Sequence, residues 1–122
     1  MFFFLRFQLP KIFHVNWFRL NEEKKFLWPG FGDNIRVLDW IIRRVNNEDI
    51  AESSPVGLLP KKGSINLQGL AIDWDQLMSI PKDYWTADIQ ETLNWLDGQL
   101  GDDLPKDIRE QIEQQKQRIS QL

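Results

Sequence analysis

The apolar positions divide the chain into a crowded, aromatic first third and a more regular, helical remainder. Ile12-Phe13-His14-Val15-Asn16-Trp17-Phe18 follows Pro10 and is rich in β-branched and aromatic residues, which predicts a buried strand. Leu20 to Lys25 is polar and predicts an exposed turn. Asp33 or Asn34 is positioned to cap a helix that runs to about Val45. Ile35, Leu38, Ile41, Ile42 and Val45 fall on one face of that helix, and Arg43 and Arg44 sit in its last turn, where positive charge complements the dipole. Asn46 to Ser54 reads as a loop. Pro55 to Pro60 is apolar with a proline at each end, so it predicts an extended segment pressed onto the core and neither a helix nor a central strand. A loop over Lys61 to Gly69 and a helical turn around Asp73 to Ser79 follow.

Pro81 suits the first position of the next helix. Its apolar residues Trp85, Ile89, Leu93, Leu96 and Leu100 recur at helical spacing, and Gly101 ends it. Asp102 and Asp103 are the expected caps of a last helix. Leu104, Ile108, Ile112 and Ile119 give that helix only a thin apolar stripe, so it is expected to cover a body and not to form a core.

The most informative stretch runs from Lys25 to Leu38. Phe26, Trp28 and Phe31 crowd into six residues around Pro29-Gly30, then Gly32, Asp33 and Asn34 lead into the helix. A helix start presents unpaired backbone N–H groups and the positive end of a dipole. An aromatic slot beside such donors suits a flat, hydrogen-bonding ligand such as a purine base.

Composition narrows the classes. The 122 residues suffice for one modest domain, and 42% apolar with 27% charged residues fits a globular protein. The net charge of −3 gives no bulk attraction to nucleic acid or to anionic membrane, so neither is an expected partner. The absence of cysteine and the single histidine, His14, exclude thiolate and imidazole-based metal sites and a cysteine nucleophile. The apolar run Met1 to Leu5 stops at Arg6, too short for a membrane helix or signal-peptide core, and no targeting segment is visible. All eight phenylalanines lie within the first 31 residues. That imbalance suggests that the N-terminal part packs against something outside this chain.

Pro10-Lys11-Ile12-Phe13-His14-Val15-Asn16-Trp17-Phe18-Arg19, the block Phe26 to Leu38, Ser54-Pro55-Val56-Gly57 with Pro60-Lys61, and the ending Lys116 to Gln121 together resemble the C-terminal part of GTP-dependent phosphoenolpyruvate carboxykinase of the animal type. The resemblance covers residues 10–122, and residues 1–9 do not match. It implies an α/β fold: the C-terminal part of the carboxykinase nucleotide-binding lobe, with few strands near the N-terminus followed by helices. It also implies that Phe18, Phe26 and Phe31 enclose the guanine ring of GTP or GDP, and that Phe31-Gly32-Asp33-Asn34 contacts the nucleotide. Asp33 stands where the family has glutamate. The family turns oxaloacetate and GTP into phosphoenolpyruvate, GDP and carbon dioxide, and it uses Mn2+ or Mg2+. Its phosphate loop and metal ligands lie upstream of the matching part: no G-x-x-x-x-G-K-[ST] run is present here, and no catalytic or metal residue is assigned. The expected partners are a guanine nucleotide and the missing N-terminal part of the enzyme. The expected compartment is cytoplasmic or mitochondrial, with the cytoplasm favoured. The alternative reading is a stand-alone guanine-nucleotide-binding or interaction module, or an inactive truncated product.

Stacking on aromatic faces contributes about 1–3 kcal/mol per base but does not choose among bases. Choice requires the ring edge, where guanine offers an acceptor at O6 and donors at N1 and N2. A site hydrogen-bonded to that edge rejects the wrong base by roughly 10⁴-fold, because its own polar groups would otherwise stay unpaired.

Overall fold

The computed structural model describes residues 9–122. A 3-10 turn over Phe31–Asp33 runs directly into helix α1, Asn34–Val45. A hairpin of strands β1, Ala51–Ser54, and β2, Gly57–Pro60, follows. Then come the short helix α2, Trp74–Leu77, the long helix α3, Lys82–Leu100, a 3-10 turn over Gly101–Asp103, and helix α4, Lys106–Ser120. The architecture is α/β, with its two strands ahead of the main helical pair.

Two small cores organise these elements. The first has Trp28, Trp40 and Ile65 at its centre, ringed by Phe13, Trp17, Val37, Ile41, Trp74 and neighbours. Trp40 carries a polar atom into this core and satisfies it twice: its indole N–H donates to the Ile50 carbonyl at 3.1 Å and to Ser64 Oγ at 3.0 Å. One side chain thereby ties α1 to the chain entering the hairpin and to the loop leaving it. The second core is Ile89, Leu93 and Ile119, with Val56, Ile80, Trp85 and Ile112 against it. The ammonium of Lys82 donates to the Ser120 carbonyl at 2.8 Å, so the start of α3 lies beside the end of α4 and the pair is antiparallel.

The hairpin is antiparallel, with Ala51 opposite Pro60 and Ser54 opposite Gly57. Its two-residue turn is Pro55-Val56. Ser54 Oγ donates to the Gly57 carbonyl at 2.7 Å and accepts from the Val56 N–H at 3.3 Å. Gly57 sits at φ 125°, which a side chain would resist. A lone two-stranded hairpin is marginal in water. This one is held by the Trp40 bond at its base and by Arg118 Nε, which donates to the Pro55 carbonyl at 2.9 Å.

Several sequence expectations are corrected. Residues 12–18 form no strand. Strand propensity describes a fit to a pleated neighbour, and among the described residues no strand lies alongside. Only the inward residues are used: Phe13 meets Trp40 edge-on at 6.0 Å, while Ile12 and His14 are exposed. Part of the segment expected as a loop, Asn46 to Ser54, supplies β1. Asp102 and Asp103 occupy a 3-10 turn, and Pro105 takes the capping position of α4. Pro81 likewise precedes α3 as its N-cap residue. Helix α4 does more than cover a body, because Ile119 is the most deeply buried large side chain. The expected helical turn at Asp73–Ser79 is present, with the Asp73 carboxylate accepting from the N–H groups of Asp75 and Gln76.

The largest departure concerns α1. Of its predicted apolar face, only Ile41 packs into the chain. Ile35 and Ile42 are 64% and 62% exposed, and Leu38 and Val45 are also on the surface; Trp40, Val37 and Ile41 make the inner contacts. Two substitutions separate these faces. Trp40→Ala is expected to cost about 3–5 kcal/mol in urea unfolding followed by circular dichroism. Ile42→Ser should stay within about 0.5 kcal/mol of wild type in the same measurement.

Candidate functional site

The aromatic stretch is built by a tight loop. The Leu27 N–H donates to the Arg19 carbonyl at 2.9 Å, and Leu20 bridges Phe26 in antiparallel fashion. At the tip, Asn21 Oδ1 accepts from the Lys25 N–H at 2.9 Å, and Lys24 takes a left-handed conformation at φ 59°. Arg19 anchors the base of the loop: its guanidinium donates to the Leu77 carbonyl at 2.8 Å and to Ser79 Oγ at 2.6 Å.

This loop stacks aromatic pairs in two layers. Trp17 and Trp28 form the inner layer at 6.4 Å, with Trp28 buried in the first core. Phe18 and Phe26 form the outer layer, edge to face at 6.2 Å, and project into solvent at 74% and 63% exposure. Asn16 Oδ1 accepts from the Phe18 N–H at 3.0 Å and sets the turn that points Phe18 outward. Phe31 opens the 3-10 turn and is 95% exposed. It makes no ring contact with Phe18 or Phe26 among the described residues. All three phenylalanines are therefore exposed, and among the described residues only Phe18 and Phe26 are in ring contact.

Gly30, at φ 113°, turns the chain from Trp28-Pro29 into the helical run. No side chain caps the first turn, so its leading N–H groups are left for solvent or a ligand. Asp33 occupies the N-cap position of α1, but its carboxylate is engaged elsewhere, receiving Arg36 Nε at 2.9 Å. Arg36 also donates to the Asn66 carbonyl at 2.8 Å. Asp33 is thus a fixed, charge-neutralised corner. Gly32 stands exposed between Phe31 and Asp33, with open space where a side chain would be.

Asn34 has a partner that the sequence did not reveal. The buried Trp28 indole donates to Asn34 Oδ1 at 2.8 Å. An indole N–H only donates, so the carbonyl end of the carboxamide must face it, which fixes the amide orientation. One oxygen lone pair and two N–H donors remain on Asn34. Nothing in the spacing of Trp28 and Asn34 signals this pairing. The Asp33–Arg36 pair, three residues apart at a helix start, was readable. Among the described residues, no three His, Cys, Asp or Glu side chains gather closely enough to hold a metal ion.

A family model described as phosphoenolpyruvate carboxykinase C-terminal P-loop domain matches residues 4–118. The chain is 56% identical over 117 residues to a GTP-dependent phosphoenolpyruvate carboxykinase of Ascaris suum, which covers 94% of this chain and 18% of that relative. It is 50% identical over 116 residues to the human mitochondrial form, with the same coverage of both chains, and 45% identical over 116 residues to the cytosolic form of Bos taurus. The chain belongs to the GTP-dependent phosphoenolpyruvate carboxykinase family. It spans less than a fifth of the length of these carboxykinases. No helix among the described residues is long and apolar enough to cross a membrane.

The Trp28–Asn34 bond gives this carboxykinase segment a specific test. Trp28→Phe removes the donor and leaves a carbonyl short of a partner, with an expected loss of about 1–3 kcal/mol in urea unfolding.

Proposed function

We propose that residues 10–122 are the C-terminal part of a carboxykinase nucleotide-binding domain and supply its guanine pocket. The reading is supported chiefly by the exposed Phe18–Phe26 pair on the loop that leads through Trp28 into an uncapped helix start, and by the Asn34 carboxamide bound to Trp28. In it, Phe18, Phe26 and Phe31 offer faces to the base, while Gly32, Asp33 and Asn34 line its hydrogen-bonding edge. Asn34 has both polarities to offer. Its N–H groups suit O6, and its remaining lone pair suits N1–H or N2–H. Free N–H groups at Phe31 and Gly32 add donors, and the exposed glycine lets a ring approach the backbone. The exposed helix start also favours negative charge nearby, in keeping with a nucleotide over a free base.

The full enzyme of this reading converts oxaloacetate and GTP into phosphoenolpyruvate, GDP and carbon dioxide, as a decarboxylating lyase of gluconeogenesis. Its divalent cation supplies electrostatic stabilisation to the transferring phosphoryl group. The donor sets of the described residues do not fit that cation. The part assigned to this chain is therefore recognition of the base, with phosphoryl transfer carried by the rest of the polypeptide.

Titration of the purified chain with GTP, GDP and ATP, followed by tryptophan fluorescence, tests the pocket. GTP and GDP are expected to bind weakly and alike, since the base carries the interaction, and ATP more weakly still. Phe26→Ala removes one aromatic face and should weaken GTP binding by about 5- to 150-fold, the equivalent of about 1–3 kcal/mol. No response up to millimolar nucleotide, or equal responses to GTP and ATP, overturns the reading. In a coupled assay with oxaloacetate, GTP and Mn2+, the chain alone should form no phosphoenolpyruvate; turnover above blank would place chemistry in this segment and refute the division of labour.

A further inference from the structure

We propose that Trp28 sets the base specificity of the slot: its buried indole N–H holds the Asn34 carboxamide in the one orientation that accepts a purine with a carbonyl at C6 and refuses one with an amino group there. The proposal rests on the pocket reading above and makes Trp28 a positioning residue that acts through Asn34. The bond is short, 2.8 Å from Trp28 Nε1 to Asn34 Oδ1. Its donor is fixed from below, since Trp28 is buried in the first core and meets Trp17 at 6.4 Å. An indole nitrogen donates and does not accept. A hydroxyl or a water in its place would suit either orientation of an amide, whereas the indole suits one. Turning the Asn34 carboxamide over would set its amino end against the indole N–H, donor facing donor, and leave a buried N–H without an acceptor. That penalty disfavours the turned-over form by about 5- to 150-fold.

Fixing one edge of the amide fixes the other. Asn34 Nδ2 donates to no protein acceptor among the described residues, and no buried side-chain nitrogen or oxygen among them lacks a partner. The amino end of Asn34 is therefore open to solvent, and the spare lone pair of Oδ1 lies next to it. Donor and acceptor are thus presented in a set order. Guanine offers O6 and N1–H in the matching order and can take both bonds. Adenine offers an amino group and a bare N1, so donor would meet donor and acceptor would meet acceptor. Where stacking fixes the attitude of the ring, adenine gains those bonds only if the carboxamide turns over, and Trp28 opposes that turn. The choice made at the surface is set by a nitrogen in the core.

The test measures GTP and ATP affinities of the 122-residue chain and its variants by ligand-observed NMR. In Trp28→Phe the carboxamide is free to take either orientation. GTP then loses only about twofold, since half of the molecules present the right edge. ATP gains at least about fivefold, because the buried-donor penalty is gone. Selectivity should therefore fall while ATP binding improves, an outcome that general loosening of the site does not produce. Replacing Trp28 by benzothienylalanine, which keeps the bicyclic shape and puts sulfur where the N–H stood, should do the same and serves where Trp28→Phe folds poorly. Ile65→Val, in the same core, should leave the ratio unchanged. Without nucleotide, nitrogen relaxation should show the Asn34 side-chain amide as ordered as the α1 backbone in the wild type and mobile in both Trp28 variants. Asn34→Asp keeps an acceptor for the indole and removes the amide donors, so it should abolish the preference for GTP. A wild-type chain that does not prefer GTP, or a preference that survives Asn34→Asp, overturns the assignment of Asn34 to the base edge and the role of Trp28 with it. A preference that depends on Asn34 yet survives loss of the indole N–H, a loss of GTP and ATP binding by the same factor, or an Asn34 amide equally ordered in all variants overturns the role of Trp28 and leaves the pocket standing.

Discussion

A tryptophan buried among apolar neighbours must still find an acceptor for its N–H, and Trp40 shows how much structure that single requirement can hold. Its ring is the buried contribution of α1 to the first core, and its N–H reaches both the Ile50 carbonyl and Ser64. The chain before the hairpin and the loop after it are thereby brought to one point. Arg43 reinforces the same junction, since its guanidinium binds Asp39, Glu48 and the Ser64 carbonyl. Hydrogen bonds that Arg43 donates to the two carboxylates hold its pKa above its ordinary value, led by the one to Asp39. The helix is fixed by its polar contacts as well as by burial, which is how a core centred on three buried residues can order it.

Trp28 repeats the device at the other end of the helix. Its N–H engages the first residue of α1 and so connects the inner aromatic layer to the helix start. Packing beneath the helix start and orientation of the carboxamide on it are one problem with one solution. Phe18 and Phe26 meet edge to face above this platform and remain exposed.

Local periodicity carried the helices. The bounds of α1, the turn capped by Asp73 and the spacing of Ile89 and Leu93 on α3 were all legible, because capping and helical repeat are properties of neighbouring residues. What was not legible depended on the absence or presence of distant partners. Residues 12–18 have strand chemistry but no strand beside them among those described. The hairpin arises where serines and a glycine masked the strand pattern, through a proline turn and a tryptophan bond from elsewhere. Ile35, Leu38, Ile41, Ile42 and Val45 were read as one apolar face, yet only Ile41 turns into the first core and the chain leaves the other four exposed. Near the helix start, the aromatic crowding and the start itself were visible in sequence; the Trp28–Asn34 bond required coordinates.

The contact between Arg118 and the Pro55 carbonyl has one more implication. It spans 63 positions and fastens the tip of the hairpin to the last turn of α4, close to Ile119 in the second core. Val56, beside that proline, inserts into the same core. The hairpin therefore works as a latch between two otherwise separate apolar nuclei, and trimming only a handful of residues from the carboxyl end would unfasten it while leaving Trp40 and its neighbours in place.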